Sequence, residues 1–121
     1  MTQLTESTHA FEFLASEANG ARSREQGILA SGNNLSAGAV LGVITASGKY
    51  AEYNPGNADG SETAVAVLAD AVDASAADAD CVVVARDAEV KSGSLAWFSG
   101  ATAGQKTTGE SDLAAVGIIA R

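Results

Sequence analysis

The sequence predicts a mainly β protein: a small β-barrel body with one short C-terminal helix and an extended N-terminal arm. Short runs of β-branched and other apolar residues alternate with Gly, Asn, Asp and Ser, as in strands joined by turns. The 121 residues include 13 glycines and one proline, and only 5% are aromatic. Most of the chain also lacks the long Leu/Glu/Lys stretches, with a period near 3.6 residues, of an alanine-rich helical protein.

The first 34 residues differ from the rest, and we predict that residues 1–34 form an extended arm. Residues 9–14 alternate with a period of two, which is typical of a strand and puts Phe11 and Phe13 on one side. Polar, turn-rich sequence with isolated apolar residues follows, so we expect this segment to bury little within its own domain. The alternative is an ordinary edge strand followed by a loop.

Residues 35–121 are predicted to form one compact, β-rich body, since the length of the chain suits a single domain. Residues 38–53 hold two runs of strand length around Ser47-Gly48 and are predicted to form a β-hairpin. The run at 81–86 is apolar throughout, so we expect a central strand buried on both faces. Further strands are predicted at 64–68 and 94–98.

The end of the chain is predicted to hold the helix. Residues 100–109 are polar and are expected to form a loop. Ser111 is suited to cap a short helix over residues 111–116, and Gly117 to end it. Residues 118–120 would then finish the chain as a strand.

The charge and the apolar pattern exclude several classes of function. The net charge is −8, from 15 acidic and 7 basic residues, whereas binding to nucleic acid or to an anionic membrane needs a basic surface. We therefore expect no nucleic-acid partner and no membrane partner. There is no run of about 20 apolar residues and no secretory signal pattern at the N-terminus. Cys81 is the only cysteine, so the chain cannot form an internal disulfide, which fits folding in a cytoplasm.

Residues with catalytic or metal-binding chemistry are scarce. His9 is the only histidine and is expected to be an exposed polar residue of the arm, although nucleophilic catalysis usually needs such a base. Cys81 begins the most apolar strand, where burial raises the pKa of a thiol, so we interpret it as an inert core residue. One Cys and one His do not suffice for a structural zinc site. We predict no enzymatic activity, no cofactor and no metal.

Two other patterns have structural interpretations. The acidic residues between 59 and 80 lack the spacing of a calcium loop and are interpreted as a solvated surface. Gly38 and Gly42 have the spacing of a membrane-helix contact, but the apolar run around them is too short for a membrane helix. We expect them to mark a close approach of backbones in a sheet.

Several short phrases follow one another in a fixed order from Phe11 onward. They are Phe11-Glu12-Phe13-Leu14, Ser23-Arg24-Glu25, residues 35–42, Ser47-Gly48-Lys49-Tyr50, Asp59-Gly60-Ser61, Ala66-Val67-Leu68, residues 70–74 and residues 113–119. Each is a common strand or turn phrase, but their order resembles that of lambda-type bacteriophage head decoration proteins. The arm and the loop lengths depart from the lambda protein, so only the mode of binding is carried over.

This resemblance implies a β-tulip-like homotrimer on the outer surface of the virion, made in the cytoplasm of the host bacterium. It would bind the major capsid protein at the three-fold positions of the expanded head and stabilise the shell against the pressure of the packaged genome. The arm, flexible in the free protein, would order against the coat protein by adding a strand to it. The candidate capsid-binding residues are Phe11, Glu12, Phe13, Leu14, Ile28 and Leu29.

The alternative function is that of a small β-module that binds a carbohydrate or another ligand. Such a module needs exposed aromatic side chains on a sheet face. Only Tyr50, Tyr53, Trp97 and Phe98 are available in the predicted body. Tyr50 and Tyr53 would point to opposite faces of a regular strand, which weakens a stacking platform.

Overall fold

The computed structural model describes residues 13–17 and 23–121, and this part of the chain forms ten strands and one α-helix. The strands are β1 (Leu14–Glu17), β2 (Arg24–Leu29), β3 (Asn33–Leu35), β4 (Val40–Val43), β5 (Tyr50–Glu52), β6 (Ala66–Leu68), β7 (Val72–Ala74), β8 (Ala79–Val84), β9 (Ala88–Val90) and β10 (Ile118–Ala120), and the helix α1 is Ala103–Ala115. Five strands close into a barrel in the order β2-β5-β4-β6-β8. A three-stranded sheet, β1-β9-β10, and a β3-β7 pair complete the fold. The predicted fold class, mainly β with a small barrel and a C-terminal helix, is confirmed.

The local pairings follow the turn signals in the sequence. β4 and β5 are antiparallel neighbours with Leu41 opposite Glu52, which confirms the hairpin predicted at 38–53. Its turn is closed by the N–H of Gly48, which donates to the C=O of Ile44 at 2.8 Å. The strands predicted at 64–68 and 118–120 are present as β6 and β10.

The barrel is closed by a strand that the sequence analysis placed in the arm. β2 pairs with β8 over its whole length, from Arg24 opposite Val84 to Leu29 opposite Ala79. The barrel therefore begins before residue 35, the first residue of the predicted body. Ser23 and Leu29 are fully buried, so the expectation that this segment buries little was wrong for them. A separate capsid-binding role for residues 1–34 stays a prediction.

Two hydrophobic cores lie on either side of the barrel wall. The inner core fills the barrel with small and branched side chains: Leu29, Ala39, Leu41, Ala66, Leu68, Ala74, Cys81 and Val83. The outer core lies between the barrel, the three-stranded sheet and α1: Phe13, Val40, Tyr53, Ala64, Val67, Val84, Ala88, Val90, Leu95, Leu113 and Ile118. Alternate residues of β6 and β8 enter different cores, which explains why these strands are apolar on both faces.

The helix is longer than the sequence predicted, and two expectations there were wrong. Residues 103–110 are helical rather than a loop, and the cap is Thr102 rather than Ser111. Thr102 and Gln105 form a capping box, in which the Thr102 hydroxyl accepts from the Gln105 N–H at 3.2 Å and the Gln105 side chain accepts from the Thr102 N–H at 3.0 Å. Gly117, with φ of +90°, follows the helix as predicted.

The strand predicted at 94–98 was also wrong. Ser92–Ser94 form a 3-10 turn, and the segment after it makes only a single bridge, between Ala96 and Ala39. This segment instead turns Trp97 toward α1. A Cβ on Gly109 of the helix would lie 2.5 Å from the Trp97 ring, so packing against Trp97 requires a glycine there.

Gly38 and Gly42 mark close backbone approaches, as predicted. A Cβ on Gly42 would lie 2.5 Å from the Cα of Ser61. One on Gly38 would lie 2.8 Å from the carbonyl oxygen of Ser94. Real Cβ atoms do not approach backbone this closely, so both positions require glycine.

Candidate binding surface

The predicted arm joins the body at one edge of the three-stranded sheet. β9 is the central strand of this sheet, with β1 antiparallel on one side and β10 parallel on the other. In the part of the chain that the structure describes, no strand pairs with the outer edge of β1 or of β10. Edge strands offer backbone N–H and C=O groups to an added strand, so this sheet has two places where a partner strand fits.

Phe13 fixes the chain immediately before β1. Its side chain is 0% exposed and packs in the outer core, and its C=O accepts from the N–H of Lys91 at 2.7 Å. Gly38 leaves room for the ring, since a Cβ at that position would lie 3.6 Å from the Phe13 Cβ. Any load on the residues that precede Phe13 is therefore carried directly into the core of the body.

Exposed polar pairs tie β1 to its neighbours. The Arg24 guanidinium donates to both carboxylate oxygens of Glu17, at 2.5 and 3.1 Å, and this bond raises the pKa of Arg24. Glu89 on β9 accepts from Arg121 and from the Ser16 hydroxyl, and these bonds, Arg121 first, lower the pKa of Glu89. Exposed pairs of this kind contribute little to stability, about 0–1 kcal/mol each, so they set register more than strength.

The structure does not bring the six candidate capsid-binding residues together. Phe11 and Glu12 lie outside the described residues, as does His9. Phe13 is in the outer core, whereas Leu29 is in the inner core, and both are fully buried. Leu14 is half-buried on β1, and Ile28 is 37% exposed on β2. Their role in binding stays a prediction, and for the two core residues it would require that the core open.

A groove on the β2–β8 wall was missed by the sequence analysis. This acidic groove has a volume of about 400 Å³ and is lined by Gln26, Gly27, Asp70, Ala71, Val72, Asp80, Cys81 and Val82. Val82 is 37% exposed, so the expectation that residues 81–86 are buried on both faces was wrong there. Nothing covers this stretch of β8 from outside, and the apolar Val82 beside Asp80 was the signal in the sequence.

Cys81 lies between this groove and the inner core. The residue is 5% exposed, and burial, with a smaller contribution from the charge of Asp80, raises the pKa of its thiol. A raised pKa keeps the thiol protonated and unreactive at neutral pH. This agrees with its interpretation as a core residue.

A second groove lies beside the helix. This basic groove has a volume of about 370 Å³ and is lined by Ser92, Gly93, Leu95, Trp97, Ala103, Lys106 and Glu110. Lys91 precedes Ser92 and is exposed. Trp97 therefore has one side on the helix and one side toward solvent.

The aromatic side chains hold the helix in place rather than forming a stacking platform. Tyr53 is fully buried and meets Trp97 and Phe98 edge to face, with ring centroids 6.0 and 6.1 Å apart. Its hydroxyl donates to the C=O of Gln105 in α1 at 3.3 Å. The arrangement therefore gives no support to the carbohydrate-binding alternative.

The described residues were also searched for metal and membrane features. Across residues 13–17 and 23–121, no three His, Cys, Asp or Glu side chains are grouped so that they could hold a metal ion. Within the same ranges, no helix has the length and apolar character needed to cross a membrane.

A rigid barrel, with a sheet edge where the chain enters and grooves on its walls, defines a small β-barrel protein of the structural, partner-binding class. The family model for bacteriophage lambda head decoration protein D matches residues 3–118. The chain belongs to this family of phage head decoration proteins. The family is a structural one of the phage capsid rather than a class of enzyme, and membership implies binding to the phage capsid and a place on the virion capsid. A search of curated proteins found no match.

Proposed function

We propose that this protein is a cementing protein, which binds the expanded phage head as a homotrimer and stabilises it against the outward pressure of the packaged genome. The major capsid protein is its partner. The observation that carries the proposal is the family match over residues 3–118, which includes both the predicted arm and the body.

The physical case is one of mass action and avidity. A protein that binds only the assembled, expanded shell stabilises that shell relative to its separated subunits. Three linked copies make the second and third attachments intramolecular, so each attachment can be weak while the whole remains bound. Ordering an arm upon binding reduces the affinity of each contact, which main-chain pairing with a coat-protein strand would offset.

The geometry at Phe13 supports an arm that transmits force. Phe13 is buried directly before β1, and the three-stranded sheet that follows packs on the outer core. A head subunit that moved outward would therefore pull against a folded body and not against a free chain end. Of the candidate residues that the structure describes, Leu14 and Ile28 have exposed area to offer to a partner.

Removal of residues 1–12 tests the proposal, because it deletes Phe11 and Glu12 and keeps the Phe13 anchor. We expect the truncated protein to fold and to lose most of its binding to expanded, undecorated heads in a sedimentation assay. Heads with the intact protein should retain their genome at a higher temperature than undecorated heads. A variant in which residues 1–12 are scrambled controls for length and charge, and undiminished sedimentation of the truncated protein would contradict the attachment role.

A further inference from the structure

The two grooves of the body carry opposite charges that have no partner within the described chain. At the acidic groove, Asp70 and Asp80 are exposed, and neither forms an ion pair with any residue in 13–17 or 23–121. The Asp70 carboxylate accepts from the N–H of Ala71 at 2.8 Å, which leaves its charge uncompensated. Val82 and Ile28, each 37% exposed, supply apolar surface beside these carboxylates.

At the basic groove, Lys106 and Lys91 are exposed, and neither forms an ion pair with another described residue. Glu110 lines the same groove, so this surface carries two positive charges and one negative charge. Trp97 and Leu95 supply the apolar part. In a chain of net charge −8, a locally positive surface next to an exposed aromatic ring is unusual.

The grooves lie on different walls of the barrel. The acidic groove is on the β2–β8 wall. The strand β4 is separated from β2 by β5 and from β8 by β6, and the bridge between Ala39 and Ala96 attaches the Trp97 segment next to β4. One copy of the chain can therefore use both grooves at once, each with a different neighbour.

We infer that the acidic groove of one copy docks on the basic groove of the next copy. Asp70 and Asp80 then face Lys91 and Lys106, and Val82 and Ile28 pack near Trp97. Such a contact is heterologous, and a heterologous contact that closes on itself forms a ring. The inference rests on the homotrimer of the proposed function and names the two surfaces that build it.

Charge complementarity argues for a second copy as the occupant of both grooves. Each groove combines exposed apolar area with one sign of uncompensated charge, and the two signs are opposite. Complementary charge of this kind sets register and suppresses wrong pairings. If the coat protein occupied either groove, the other would lose its match on the same chain, and the variants below would change binding to heads without changing the oligomer.

Reciprocal charge reversal tests the contact in the full-length protein. Asp80→Lys alone and Lys106→Glu alone are each expected to weaken the oligomer about tenfold or more, because like charges then meet across the contact. The double variant restores opposite charges and is expected to regain most of the affinity. The dissociation constant is measured by sedimentation equilibrium, and circular dichroism verifies that each variant is folded.

Matched controls place the same kind of charge change outside the grooves. Asp73→Lys on β7 and Thr107→Glu on α1 are exposed positions that line neither groove, and both should leave the oligomer unchanged. A trimer that persists in both single variants, or a double variant that is weaker than either single one, would overturn this pairing and leave the proposed function standing. A wild-type protein that remains monomeric at high concentration would instead overturn the trimer of the proposed function itself.

Discussion

The inner and outer cores of this protein are built from different kinds of sequence. The inner core is made by strands β2, β4, β6 and β8 with aliphatic and small side chains, and much of it comes from the hairpin and from strands next to strong turn signals. The outer core collects single residues from distant parts of the chain, among them Phe13, Tyr53 and Leu113. It also has the larger side chains, with Trp97 and Phe98 packed at its border.

The difference separates two tasks. The inner core makes a closed barrel, which leaves no edge among its five strands. The outer core fastens the two ends of the described chain to that barrel, since it holds Phe13 before β1 and Ile118 at the start of β10. Mutations in the inner core should therefore weaken the whole fold, and mutations in the outer core should also weaken attachment.

Phe13→Ala is expected to have the largest effect. Removal of a fully buried aromatic ring should lower the free energy of unfolding by about 3–5 kcal/mol, through lost burial and the cavity that remains. In addition, β1 should lose its protection from hydrogen exchange before the barrel strands do. Urea unfolding followed by Trp97 fluorescence, together with hydrogen exchange, measures both effects.

Leu41→Ala in the inner core is the matched comparison. It should cost about 2–5 kcal/mol, because Leu41 is also fully buried, but it should not expose β1 selectively. Equal loss of protection in β1 and in β4 for both variants would show that the two cores are one unit and would break the comparison.

Gly109→Ala is expected to have a smaller effect, confined to the outer core. A Cβ there would meet the Trp97 ring at 2.5 Å and the Tyr53 ring at 3.1 Å, and overpacking of this kind costs about 1–3 kcal/mol. The change in Trp97 fluorescence and the urea midpoint report it.

Gly104→Ala is the control on the same helix. A Cβ at Gly104 would lie no closer than 4.0 Å to its nearest neighbour, Thr102 Oγ1. Alanine should therefore stabilise the helix there by about 0.5–1 kcal/mol, the ordinary gain over glycine. If both variants shift stability in the same direction, Trp97 packing does not explain the glycine at 109.

The inner core was more predictable than the outer core for a physical reason. Runs such as residues 38–45 and 64–68 are apolar, short and bounded by turn residues, so their strands follow from local sequence. β2 was hidden because its outward residues are polar and its inward positions include Gly27, where a Cβ would meet the Tyr50 ring at 2.5 Å. Its pairing with β8 is a tertiary effect that local pattern does not carry.

The helix shows the same limit in the outer core. Two glycines and three threonines lower the helix propensity of residues 102–109, so this stretch reads as a loop. Packing against Trp97 and Tyr53 outweighs that propensity, although the capping box of Thr102 and Gln105 was visible in the sequence. The candidate site was less predictable still, because burial of Phe13 and Leu29 and exposure of Val82 depend on which face of each strand the rest of the chain covers.

The smallest expected effect concerns a polar link at the barrel end, remote from the outer core. The Asp78 carboxylate accepts from the Lys49 ammonium at 2.5 Å and from the N–H of Ser31 at 2.8 Å, and these bonds, Lys49 first, lower the pKa of Asp78. A carboxyl whose pKa is lower in the folded state stabilises the fold above its unfolded pKa of about 3.9. That contribution is lost as the pH falls through the lower, folded value.

Asp78→Asn should therefore be less stable than the wild type at pH 7, and the difference should shrink as the pH falls below about 4. Lys49→Met removes the main partner and should reproduce the trend, because the Asp78 pKa then moves back toward its ordinary value. Urea midpoints at a series of pH values measure this in all three proteins. The effect should be small, since the pair is exposed and screened by salt, and β1 should keep its protection throughout. A difference between wild type and Asp78→Asn that stays constant down to pH 2 would mean that packing of the side chain, and not its charge, joins the Ser31 turn to the barrel.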